Sequence, residues 1–173
     1  ATLIVIPAAI LYDLANGGDR AWGEDPPYRR LGREAVVAAA RDFQLGTAGA
    51  GYGAMAGRLK GGTGSASIVT ADGIAVGAVV CVNSFGSVVA PGGRTFWASP
   101  YEVGDEFGGL GSAGLAAQGD IWGLAKVDPA ERMNTTIACV ATDVALTPAQ
   151  AKRVAVMAQD GLARAIRPVH APF

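Results

Sequence analysis

Two apolar runs, Ser65–Thr70 and Ile74–Asn83, flank the turn-forming triplet Ala71-Asp72-Gly73, and no other feature narrows the fold as much. Runs of Val, Ile and Ala of this length read as strands. A turn this short, built on Asp-Gly, joins two strands as an antiparallel hairpin. Their apolar residues succeed one another without strict alternation, which predicts a sheet covered on both faces. Thr135–Thr142 reads as a third strand of the same kind. Thr2–Ile6 reads as a further strand, closed by Pro7.

Two stretches carry helical periodicity. Leu31, Ala35, Val36, Ala39, Ala40 and Phe43 recur at helical spacing and predict a helix over Gly32–Phe43. Thr147-Pro148 reads as an N-cap with proline at the first helical position. Beyond it, Ala151, Val154, Ala155, Ala158, Leu162 and Ala165 form one stripe and predict a helix over Ala149–Ile166. Glycine is abundant, at 25 residues in the chain, and it clusters between Gly46 and Gly64 and again between Gly104 and Gly123. The Gly-, Ala- and Asp-rich stretch 94–134 predicts a flexible loop. The order of strand, helix, hairpin, long loop, strand and helix fits an α/β or α+β chain with helices packed on a central sheet.

The chain has 173 residues, enough for a single domain over 1–173, and half of them are apolar. It opens in a strand-like run without Met and stops just after Pro168-Val169-His170, so both ends read as cuts in a longer protein. A formal net charge of -1 supplies no field to gather nucleic acid or an anionic membrane, so neither is expected as a partner. No apolar run reaches the ~20 residues of a membrane span. Cys81 and Cys139 lie inside apolar runs and read as buried reduced thiols, which favours a cytoplasmic setting.

Familiar catalytic patterns are missing. The one histidine, His170, cannot hold a metal alone, and no Cys/His spacing supports zinc. No Gly-x-Ser-x-Gly elbow occurs at a strand end. Lys60 precedes its glycines, and no Gly-Lys-Ser/Thr comes after them, so the run is not a nucleotide phosphate loop. No metal or cofactor is expected. One chemistry needs no histidine: an N-terminal Thr can use its own α-amine, with a pKa of about 8 against about 10.4 for lysine, as general base. To expose such a terminus the precursor must cut itself. Met133-Asn134-Thr135-Thr136-Ile137 has a suitable context, with a Gly-rich loop before it and a strong strand after it.

Several segments, in order, resemble the L-aminopeptidase/D-esterase family, which includes β-aminopeptidases and endo-type hydrolases of nylon oligomers. Pro7–Leu14 (PAAILYDL) resembles its PAAVIYDL segment. Gly49-Ala50-Gly51 and Lys60–Ser67 (KGGTGSAS) resemble its GAG and KGGxGSAS segments. Val82–Gly86 (VNSFG) resembles its VNxxG strand end, and Asn134–Ile137 with Val140–Asp143 resembles its cleavage-site strand. Asp160–Ile166 and Pro168-Val169-His170 resemble the family's segments on the C-terminal side of that strand. The likeness covers almost the whole chain and is weakest between Arg94 and Arg132.

The resemblance implies a four-layer α-β-β-α sandwich, an α+β fold, of which this chain is a part. It implies an autoproteolytically activated amide or peptide hydrolase, cut between Asn134 and Thr135, with Thr135 as nucleophile and its freed amine as base. Asn83 would orient that amine or donate to the oxyanion, and Tyr12 would donate its hydroxyl there; such a donor is worth roughly 3–4 kcal/mol of barrier. Lys60 would hold the nucleophile's pKa down, with Arg58 as the alternative cation. Acidic partners of the nucleophile would lie beyond Phe173. The implied substrates are small peptides, amides or amide oligomers, and the implied assembly is a homo-oligomer, a tetramer or larger. Two other readings stay open: an inactive relative acting as a binding or assembly module, and an acetyl-ornithine transferase-like enzyme with a Thr nucleophile.

Overall fold

The Asp-Gly turn closes the hairpin in a computed structural model of the chain, which describes residues 7–112, 122–126 and 134–171. Gly73 takes φ +81, and the turn is tied by hydrogen bonds from Thr70 N to Ile74 O and from Gly73 N to Thr70 O, both 2.9 Å. In chain order the elements are α1 (Tyr28–Val37), β1 (Met55–Ala56), β2 (Leu59–Lys60), β3 (Gly62–Val69), β4 (Ala75–Asn83), β5 (Thr135–Thr142) and α2 (Pro148–Ala165). β3, β4 and β5 form one antiparallel sheet with β4 in the centre, and β1 and β2 form a short ladder of their own. Helices with antiparallel sheets make this an α+β fold. The expected strand Thr2–Ile6 lies outside the described residues.

The α2 expectation holds to within a residue at each end. Thr147 is the N-cap and Pro148 comes next. Gln150 N donates to Thr147 Oγ1, and Thr147 N donates to Gln150 Oε1 at 2.9 Å, a reciprocal capping box. The predicted stripe turns toward the sheet. Val154, Ala158 and Leu162 face Val76, Ala138 and Val140 across an apolar cleft of about 790 Å³.

Two expectations are corrected. The first helix starts at Tyr28 and stops at Val37, and does not run over Gly32–Phe43. Pro27 sets the start, since its fixed φ of -71 already suits helix entry. The apolar stripe finds little to pack on among the described residues, with Val36 78% exposed, and helical spacing without burial does not extend a helix. The second correction concerns the sheet, which is not covered on both faces among the described residues. β3 is exposed from Gly64 to Val69. Cys139, expected to be buried, is likewise exposed, because it sits opposite Val79 on the face turned away from α2.

The tightest packing lies at the end of β4. Ala54, Ala56, Phe85, Val89, Ala90, Trp97, Ala125 and Ile166 are buried there with Asn83, Ser84 and Ser87. Ser87 and Arg167 exchange backbone hydrogen bonds at 3.0 Å, which ties the chain after α2 to the chain after β4. The Arg167 guanidinium stacks 4.5 Å from the Trp97 ring centroid.

Candidate active site

β4 ends at Asn83, whose side chain is 0% exposed. Its hydrogen bonds define its orientation. Oδ1 accepts from Met55 N at 2.9 Å and from Lys126 Nζ at 3.2 Å. Nδ2 donates to the Tyr12 carbonyl at 2.8 Å. Two donors meet the oxygen and a carbonyl meets the nitrogen, so the amide can point only one way.

The β4–β5 register places Thr135 directly opposite Asn83. Directly opposed residues share a sheet face, with Cβ atoms about 5 Å apart. Thr135 is also the first residue of β5, so its nitrogen sits where the ladder begins. Asn134, just before it, is half-buried, and neither polar atom of its side chain has a hydrogen-bond partner among the described residues. An unmet buried polar group costs on the order of 1–3 kcal/mol. Asn134 and Thr135 reach the mouth of the α2 cleft, where His170 also lies. The cleft itself is lined by the predicted core stripe of α2 and is a helix–sheet layer in character.

The other expected residues fall at different distances from this pair. Tyr12 comes to it through its backbone carbonyl. Lys60 sits exposed on β2, where its ammonium donates to the Tyr52 carbonyl and lies 5.7 Å from the Tyr52 ring centroid. Arg58 turns to the segment 122–126, with its N donating to Leu124 O at 3.0 Å and its Nε to Ala125 O at 3.3 Å. Both cations are thus engaged by backbone carbonyls of neighbouring loops.

Lys126 is the residue that the motifs missed. Burial lowers its pKa from 10.5 to about 8. It is the one lysine between Arg94 and Asn134, which was the only signal available in sequence. Its neighbours are docked as well. Lys126 N donates to Phe85 O at 3.0 Å, Ala125 is buried, and Trp122 meets Phe85 edge to face at 5.6 Å. Gly57, at φ +60, makes room for this segment, because a Cβ there would overlap the Leu124 carbonyl oxygen.

A three-stranded sheet with a buried amide opposite a strand-leading threonine is the setting in which the family comparison takes its meaning. The chain belongs to peptidase family S58, the L-aminopeptidase/D-esterase family, whose sequence model matches residues 1–173. It is 42% identical over 172 residues to an uncharacterized aminopeptidase of Mycobacterium leprae, covering 96% of this chain and 46% of that protein. Uncharacterized aminopeptidases of Mycobacterium bovis and Mycobacterium tuberculosis are each 39% identical over 174 residues, covering 98% of this chain and 48% of theirs. The chain thus spans about half the length of the curated relatives it matches. Among the described residues no group of His, Cys, Asp and Glu could hold a metal, and no helix is long and apolar enough to cross a membrane.

Proposed function

We propose that this chain carries the self-cleavage site of an amide or peptide hydrolase, with Thr135 as the nucleophile freed by scission of the Asn134–Thr135 bond. The observation that carries the reading is the register pair Asn83 and Thr135, formed at the point where β5 begins. In the first step Thr135 Oγ1 adds to the Asn134 carbonyl carbon, and its proton passes to the Thr135 nitrogen. The C–N bond breaks, leaving an ester between Asn134 and the Thr135 oxygen. Water then hydrolyses that ester, giving an Asn134 carboxylate and a Thr135 with free amine and hydroxyl. The amine, with a pKa near ~8, takes the hydroxyl proton when a substrate amide is attacked. Relief of the half-buried Asn134 side chain, whose polar atoms have no hydrogen-bond partner among the described residues, favours the cut.

In this reading the Asn83 amide orients the new amine or donates to the oxyanion, and Tyr12 donates its hydroxyl there. Lys60 sits in the pocket and helps hold the nucleophile's pKa down. Small peptides, amides or amide oligomers are the substrate class, an inference that the relatives' aminopeptidase names support. The exposed β3 and the bare sheet face away from α2 are what one half of an α-β-β-α sandwich would offer to a second sheet. The reading also carries a homo-oligomeric assembly and a cytoplasmic setting; the loop expected over 94–134 lies in part outside the described residues.

The test is an intact mass of the protein expressed over its whole natural reading frame. Two fragments whose masses match a break between Asn134 and Thr135 are expected, and Thr135→Ala abolishes them. A wild-type chain that stays whole overturns the proposal and favours a non-catalytic binding module.

A further inference from the structure

We infer that Lys126 is a positioning residue for the Thr135 reaction, acting through the Asn83 amide. The inference rests on Thr135 being the nucleophile, as proposed above. Lys126 Nζ lies 3.2 Å from Asn83 Oδ1, on the side of the amide away from the Tyr12 carbonyl. A cation on the oxygen of an amide draws electron density from its nitrogen and makes the N–H groups stronger donors. It also fixes the amide against rotation, because the flipped form would set an NH₂ group against an ammonium and a backbone N–H.

The lysine is held there by its own segment. Lys126 N is bonded to Phe85 O, the two preceding carbonyls are bonded to Arg58, and Trp122 packs on Phe85. Phe85 comes two residues after Asn83, so the same short stretch of chain receives the lysine's backbone and its ammonium. The segment lies upstream of the scissile bond, and it is anchored before any cut is made.

Among the described residues, the ionisable groups on the segments around Lys126 are Arg58, between β1 and β2, and Tyr12 with Asp13. Burial brings the pKa of Lys126 to about 8, so the ammonium is present below that pH and lost above it. The neutral amine still donates, but without charge assistance. Self-cleavage should therefore slow as pH rises through about 8. This is opposite in sign to a step that uses a free amine as base, and the first cut has no free Thr135 amine to titrate.

The experiment tracks precursor decay by intact mass. The full reading frame is made in a short cell-free pulse and shifted to buffers from about pH 6 to about pH 9, to bracket the lysine's titration. Wild type is expected to lose rate as pH rises through about 8. Lys126→Arg, charged throughout, should keep the cut and lose that alkaline fall. Lys126→Met, which removes the donor altogether, should cleave at the same bond at least about tenfold more slowly, as expected for the loss of a charge-assisted hydrogen bond. A Lys126→Met rate equal to wild type, or an unchanged alkaline fall in Lys126→Arg, overturns the role of Lys126 and leaves Thr135 standing. A wild type that never cleaves overturns both. If Lys126→Met does not fold, the pH profiles of wild type and Lys126→Arg decide alone.

Discussion

The end of β4 and the layer between α2 and the sheet are built on opposite plans. At the end of β4 a polar side chain, Asn83, is wholly enclosed and bonded at both ends, in a cluster packed closely enough that Gly57 and Gly86 have no room for a Cβ. Across the sheet, α2 presents Val154, Ala158 and Leu162 to apolar strands, yet none of its residues is fully buried. One region is specified by directional bonds and the other by non-directional burial. The difference is one of precision. Orienting an amide to a fraction of an ångström requires donors and acceptors that accept one geometry, whereas an apolar stripe tolerates sliding.

This contrast puts the largest expected effect at Asn83. Asn83→Ala strands the Met55 N–H and the Tyr12 carbonyl in a buried place, at about 1–3 kcal/mol for each unmet group. Denaturant unfolding should show a loss on the order of 3–5 kcal/mol, and cleavage at Asn134–Thr135 should disappear. Asn83→Asp keeps Oδ1 but replaces the Nδ2 donor with an acceptor facing the Tyr12 carbonyl. A stable, cleaving Asn83→Ala variant would break the contrast outright.

Gly57→Ala comes next. A residue with Cβ at φ +60 costs about 1–2 kcal/mol by itself. The added methyl also drives against the Leu124 carbonyl, so the 122–126 segment has to shift. The expected total is about 2–4 kcal/mol of stability, with slower self-cleavage as Lys126 is drawn from Asn83. Amide exchange of Lys126 N, bonded to Phe85 O, should quicken in parallel. In the apolar layer, Leu162→Ala is expected to cost less, about 1–2 kcal/mol, because the side chain is only half-buried and a fully buried leucine costs about 2–5. Its cleavage rate should match wild type.

The same contrast explains what could be read in sequence. The hairpin, β5 and α2 were legible because each is written locally: an Asp-Gly turn, runs rich in Val, Ile and Ala, and a Thr-Pro cap ahead of an apolar stripe. The first helix was misplaced because Leu31, Val36 and Phe43 have the right spacing and little to pack on among the described residues, and spacing carries no information about a missing partner. The exposure of Cys139 was missed for the same reason. Asn83 and Thr135 were picked out one by one through resemblance. Their opposition across β4 and β5 depends on a register that only the paired sheet defines. Lys126 reaches Asn83 across more than forty residues of chain, in a stretch whose composition reads simply as loop.

The smallest effect, at Thr147, measures how independent the two regions are. Thr147 Oγ1 accepts from Gln150 N while Gln150 Oε1 accepts from Thr147 N, so the first turn of α2 is closed without help from the sheet. Thr147→Ala removes one half of that box and should cost about 1 kcal/mol, while Thr147→Ser should restore most of it. The Thr147 cap is made with Gln150, whereas Asn83 is held by Met55, Tyr12 and Lys126. Their stability losses should therefore add in the double variant to within about 0.5 kcal/mol. Non-additivity beyond that in denaturant melts would mean that α2 and the end of β4 move together, with Ile166 and Arg167 as the physical link, since Arg167 is tied to Ser87 and Ile166 closes the buried cluster. The cap would then be felt in the rate of self-cleavage, and the division between a rigid site and a tolerant layer would have to be redrawn along the chain beyond α2.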